Sequence, residues 1–147
     1  YGVNDCPDNL DESIAQLLLK PHVSYWPALK KAREWDVRIN GIAHVTGGGW
    51  YDNLQRVLPK GVVVECEAGA LQVPAIMELL RDKGDISAEE MYRVFNMGMG
   101  MAWFIPREHE DAALEACQEA DVNAAVAGHV IESEKSEVRV KGINDNG

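Results

Sequence analysis

Apolar residues fall at Ile14, Leu17, Leu18 and Leu19, the spacing of one helix face. Asn9 or Asp11 is placed to cap that helix, and Pro21 ends it after Lys20. A second helix is predicted over Trp26 to Glu34, with Pro27 in its first turn. The short apolar run 41–45 reads as a strand, and the pattern becomes helical from Trp50 to Leu58 before Pro59. Residues 61–67 carry Val62, Val63 and Val64 and predict a strand. Residues 71–83 predict a helix, with Ile76, Leu79 and Leu80 on one side and Pro74 near the start. Ser87-Ala88-Glu89-Glu90 has the form of a capping box opening a helix through Val94-Phe95. Residues 99–105 are apolar and strand-like, and 108–120 form an acidic amphipathic helix with Ala112, Ala113, Ala116 and Cys117 inward. Two strands, 124–132 and 137–141, are predicted to close the chain as an antiparallel hairpin around Ser133–Ser136.

Alternating strands and helices predict an α/β or α+β fold, a helix-covered sheet made mixed by the final hairpin. There is no internal repeat, low-complexity tract or long linker, so 1–147 reads as one domain, with irregular tails at 1–9 and 142–147. The chain begins at Tyr1 and not Met, which leaves open a fragment, a processed form or a deliberately trimmed chain.

Composition narrows the functional classes. Apolar residues make up 46% and charged residues 26%, as in a soluble globular protein. The net charge of −10 argues against nucleic acid or an anionic membrane as partner. A phosphorylated small molecule stays compatible, because local N–H groups outweigh a distant acidic surface. Cys6, Cys66 and Cys117 are widely spaced without a CxxC pair, which suggests reduced thiols of a cytoplasmic protein. No stretch approaches the ~20 apolar residues of a membrane helix, and no signal peptide is visible.

The chemistry concentrates at His44-Val45-Thr46-Gly47-Gly48-Gly49. Three consecutive glycines between a strand and a helix leave bare backbone N–H groups to face an anion such as phosphate. Thr46 can add its hydroxyl, His44 a hydrogen bond or charge, and Asn53 lies one helical turn on. The alternative is a tight turn with His44 satisfied in the core. Neither a P-loop nor a GxGxxG fingerprint is present. A second constellation is Asn96-Met97-Gly98-Met99-Gly100, where the glycines imply close backbone approach to a ligand or to a neighbouring element. Its methionines read as core filler. His22, His44, His109 and His129 show no chelating spacing, so no metal site is expected. His109 reads as a surface residue, and His129 as a packing residue within a strand. No nucleophile–base pair stands out, and catalytic residues are not identified.

Taken together, several strings closely resemble the C-terminal half of AIR synthase, the phosphoribosylformylglycinamidine cyclo-ligase of purine synthesis. They are Gly41-Ile-Ala-His-Val-Thr-Gly-Gly-Gly49, Asn53-Leu-Gln-Arg-Val-Leu-Pro59, Val73-Pro74, Glu89-Glu-Met-Tyr-Arg-Val-Phe-Asn-Met-Gly-Met-Gly-Met101 and Val126-Ala-Gly-His-Val130. Order and spacing agree from about residue 14 to residue 140. The resemblance implies a three-layer α/β/α domain with a mixed sheet. It also implies a homodimeric, ATP-dependent ring closure of FGAM to AIR in a groove between two domains. ATP and Mg²⁺ would be held mainly by an N-terminal domain whose motifs these 147 residues lack. No activity is therefore expected from them alone.

On the matched positions, Thr46, Gly47, Gly48 and Gly49 would face a substrate phosphate, with His44 and Asn53 nearby. Asn96, Gly98 and Gly100 would shape the other wall. One departure is clear: the family usually has Pro-Thr-Arg where this chain has Pro21-His22-Val23, so a phosphate-pairing Arg is absent. Alternatives are a non-catalytic module that binds a phosphate metabolite or docks on a protein, and a related enzyme. Those relatives include FGAM synthase, selenide water dikinase, thiamine monophosphate kinase and the hydrogenase maturation enzyme. The string Phe95-Asn96-Met97-Gly98-Met99-Gly100-Met101 favours AIR synthase over them.

Overall fold

The structure is a computed structural model that describes residues 1–8 and 10–143. Its helices are α1 (Ile14–Leu18), α2 (Trp26–Glu34), α3 (Gly49–Gln55), α4 (Ala75–Gly84), α5 (Ala88–Val94) and α6 (Glu110–Glu119). Its strands are β1 (Gly41–His44), β2 (Val62–Glu67), β3 (Met101–Phe104), β4 (Gly128–Glu132) and β5 (Glu137–Lys141). The mixed α/β character is as expected, and helix α2 has the predicted limits. The role of Asn9 as a cap lies outside the described residues. Asp11 is not the N-cap of α1; that residue is Ser13. Ser13 Oγ accepts the Gln16 N–H at 3.3 Å, and Gln16 Oε1 accepts the Ser13 N–H at 2.9 Å. This reciprocal pair satisfies two otherwise open donors. At α5 the Ser87 half of the predicted box is in place, with Ser87 Oγ accepting the Glu90 N–H at 3.3 Å.

The strands form two sheets. β1 and β3 pair antiparallel, with Ala43 opposite Ala102. The other sheet has the order β4-β2-β5. Here the predicted hairpin is corrected: β4 and β5 flank β2 and do not pair with each other. β4 runs antiparallel to β2 with Val63 opposite Ile131, and β5 runs parallel to it with Val64 opposite Val138. The reason lies in β2. Val63 and Val64 point to opposite faces and both are buried, so this strand belongs at the centre of its sheet. The 133–136 turn carries the chain across the end of β2. Ser136 Oγ donates to the Pro59 carbonyl at 3.0 Å and accepts the Gly61 N–H at 2.9 Å. The sheet is mixed, as anticipated, through this crossover.

The main core gathers Val45, Trp50, Leu54, Val64, Met91, Tyr92, Met97 and Met99. Met91, Met97 and Met99 are buried, in keeping with their reading as core filler. A second cluster packs α2 on α6 through Ala32, Ala113 and Ala116 with Val37. Small residues let the two helices approach closely there.

Candidate functional site

β1 alternates, with Ala43 and Val45 buried and Ile42, His44 and Thr46 exposed. His44 and Thr46 therefore share the outward side at the strand's C-terminal end. The chain then turns through Gly48 (φ +92°) and Gly49 (φ +55°) into α3. The three glycines have different reasons to be glycine. A Cβ on Gly49 would lie 2.2 Å from the Tyr92 carbonyl oxygen, so the turn sits directly on the end of α5. A Cβ on Gly48 would meet the Asp52 side chain at 3.0 Å. Gly47 has open space around it.

Backbone hydrogen bonds show which donors remain. The Gly49 N–H donates to the Thr46 carbonyl at 3.1 Å. Asn53 is buried and its amide Nδ2 reaches the carbonyls of Thr46 (3.4 Å), Gly47 (3.2 Å) and Gly49 (2.8 Å). Its Oδ1 accepts from Arg56 Nη1 at 3.2 Å. Asn53 thus holds the turn from inside. The Asp52 carboxylate stands over Gly48, so the surface of the turn clear of a carboxylate narrows to Thr46 and Gly47.

The second constellation locks onto the first. Trp50, fully buried, donates its indole N–H to the Asn96 carbonyl at 2.7 Å and meets Tyr92 edge-on at 4.9 Å. The Tyr92 hydroxyl donates to the Ala68 carbonyl at 2.9 Å, and burial raises its pKa. Asn96 Oδ1 accepts the Gly98 N–H at 3.2 Å, and the Val45 N–H donates to the Gly100 carbonyl at 3.0 Å. These links bring His44, Thr46, the glycines, Asn53, Asn96 and Gly100 into one region. The close approaches at Gly98 and Gly100 are to protein: a Cβ on Gly98 would meet the Gln72 carbonyl at 2.8 Å. A Cβ on Gly100 would overlap the Tyr25 hydroxyl.

Two residues join the site that sequence reasoning did not place there. Tyr25 lies over Gly100, and its pKa is raised by burial. His22 sits beside His44, with the Nε2 atoms 3.3 Å apart. The signal for His22 was its place at the Pro21-His22 departure, but 22 positions separate the two histidines. His129, read as a packing residue, is instead exposed on β4, 3.3 Å from Glu65 Oε2. His109 is half-buried where α6 begins.

A groove of about 850 Å³ runs between β3, α6 and the 122–130 segment. It touches the site at Tyr25, Gly98 and Gly100 but includes neither His44 nor the glycine turn. Glu67, Arg107, Glu110 and His129 line the groove beside Met99, Met101 and Trp103. Cys66 lines it, and burial first, then the charge of Glu67, pushes its thiol up to about 11. Such a thiol is a packing group and not a nucleophile at neutral pH. Among the described residues no cluster of three or more His, Cys, Asp or Glu is placed to hold a metal ion. No helix among them is long and apolar enough to cross a membrane.

Residues 3–141 match the family described as AIR synthase related protein, C-terminal domain. Three relatives are phosphoribosylformylglycinamidine cyclo-ligases. That of Caldanaerobacter subterraneus subsp. tengcongensis is 34% identical over 134 residues, covering 91% of this chain and 39% of the relative. That of Caldicellulosiruptor bescii is 36% identical over 141 residues, covering 91% and 41%. That of Bifidobacterium animalis subsp. lactis is 37% identical over 126 residues, covering 86% and 36%. This chain thus spans about two-fifths of the length of the relatives it matches. With the family matched over nearly its whole length, the chain belongs to the AIR synthase related proteins, as their C-terminal domain.

Proposed function

We infer that this chain supplies the C-terminal wall of a phosphoribosylformylglycinamidine cyclo-ligase active site and binds the substrate's phosphate. The supporting observation is the turn at Thr46-Gly47, open on its outer side and fixed from within by Asn53, in a chain of this family. Neutral backbone donors held rigid in this way stabilise an anion without reorganisation. On this reading His44 and Thr46 orient the phosphate, while Gly48, Gly49 and Asn53 set the turn's shape. Asn96, Gly98 and Gly100 position Trp50 and Tyr25 behind it.

Mg²⁺ does not fit the residues of the turn. Magnesium takes oxygen ligands, chiefly carboxylates with phosphates, and the turn offers Asp52 alone. Nucleotide and metal are therefore assigned to an N-terminal, ATP-binding half, with a cytoplasmic homodimer as the working assembly. These 147 residues by themselves should form no AIR from FGAM and ATP, and measurable product would refute that assignment.

The phosphate reading is tested with Gly47→Asp, which adds a negative charge where there is room for a side chain. Titrating ribose 5-phosphate or inorganic phosphate should shift the Gly47 and Gly48 amide resonances saturably in the natural sequence and not in the variant. Equal binding by both would overturn the cradle.

A further inference from the structure

We propose that His22 and His44 form a two-histidine chelate for a borderline divalent transition metal such as Zn²⁺. The inference does not rest on the phosphate reading.

Their Nε2 atoms are 3.3 Å apart and their ring centroids 5.1 Å apart, with an interplanar angle of 68°. A linear N–H···N hydrogen bond would lay the rings end to end, with centroids about 5.6 Å apart at that nitrogen separation. Two imidazoles bound to one tetrahedral Zn²⁺ place their nitrogens about 3.3 Å and their centroids about 5.2 Å apart. The observed centroid separation is that of the converging pair; without a metal the same contact serves as a hydrogen bond in which one ring donates and the other accepts.

The outer contacts agree. His22 Nδ1 is 2.9 Å from the Val23 carbonyl oxygen. A carbonyl only accepts, so Nδ1 carries the hydrogen and Nε2 presents its lone pair towards His44. A backbone carbonyl holding the far nitrogen is the usual support of a metal-bound histidine. Tyr25 meets the His22 ring edge-on at 5.7 Å and fixes its plane. Both histidines are exposed, so a metal has access and its other positions are left to water or an oxyanion. Imidazole nitrogens favour Zn²⁺, Ni²⁺ and Cu²⁺ over Mg²⁺ and Ca²⁺. The net charge of −10 attracts the cation.

The test is calorimetric titration of Zn²⁺ into the untagged chain, with His22→Gln, His44→Gln and the control His129→Gln. One Zn²⁺ per chain is expected, with affinity lowered about tenfold or more by either of the first two changes. His129→Gln should leave that affinity unchanged. Zinc should also shift the ring resonances of His22 and His44 together in the unaltered chain, a readout that does not depend on any variant folding. Absence of saturable zinc binding, unchanged ring resonances, or affinity indifferent to His22→Gln would each overturn the chelate. None of these results bears on phosphate binding, because zinc alone is the probe.

Discussion

The glycine turn and the outer face of the three-stranded sheet each gather a set of polar interactions, and they are built in opposite ways. On the sheet, charged side chains converge on Glu65, whose own side chain is only 12% exposed. Lys141 Nζ is 2.7 Å away, His129 Nε2 3.3 Å and Arg139 Nη1 3.4 Å. Arg139 also pairs with Glu137. These cations already have carboxylate partners, so the cluster closes on itself. At the turn the donors are backbone N–H groups, and the one deeply buried polar side chain, Asn53, faces inward. The surface at Gly47 is left open. The more highly charged region is thus the poorer candidate for a ligand, because what counts is donor capacity left uncommitted in a fixed frame.

The contrast can be broken most severely at Gly49. Gly49→Ala places a Cβ against the Tyr92 carbonyl at a positive φ and should cost about 3–5 kcal/mol. Gly47→Ala, two residues away, should stay within about 0.5 kcal/mol. Urea midpoints of the two variants measure the difference, and similar midpoints would show that the turn is not seated on α5. Asn53→Ala comes next. It strips a buried donor from three carbonyls, and a loss of about 2–3 kcal/mol is expected. It should also broaden the Gly47 and Gly48 amide resonances.

Glu65→Gln should have a smaller effect on stability than Asn53→Ala, and its signature is in pH. The Lys141 hydrogen bond, with the charge of Lys141, the Arg139 hydrogen bond and the charge of His129, holds the Glu65 carboxyl below the usual glutamate range. A lowered folded-state pKa makes a contribution that is present above the unfolded pKa and is lost as pH falls through the folded one. The natural chain should therefore exceed Glu65→Gln in stability at neutral pH and converge with it in acid. Added salt should narrow the gap at neutral pH. A gap unchanged by acid would mean that the carboxylate's charge is not what holds the cluster.

Local signals in the sequence carried far into the structure. Trp26–Glu34 is punctuated by Pro27, and Val62, Val63 and Val64 mark a strand, so both were legible from neighbours alone. The glycine run marked the turn because two of its members need positive φ. What escaped was long-range pairing. A turn-like Ser133–Ser136 between two β-rich runs has the form of a hairpin, and only the burial of both faces of β2 reveals a crossover. The His22–His44 contact escaped for the same reason: no local period links a loop residue to a strand 22 positions later. Asn53 was found as a site residue, but its inward orientation depends on a turn geometry that spacing does not encode.

The crossover has a consequence for how the chain is made. β2 receives both neighbours from the last fifth of the chain, and Glu65 and Arg139 are separated by 74 positions. Pairing across such separations is slow. During synthesis Val62–Val64 emerge long before either partner strand exists and present two open edges, the condition under which strands associate with other chains. Glu65, charged and immediately after the valines, and Glu67 two positions further on guard that interval as gatekeepers. The carboxylate that later anchors Lys141 and Arg139 first keeps the waiting strand in solution.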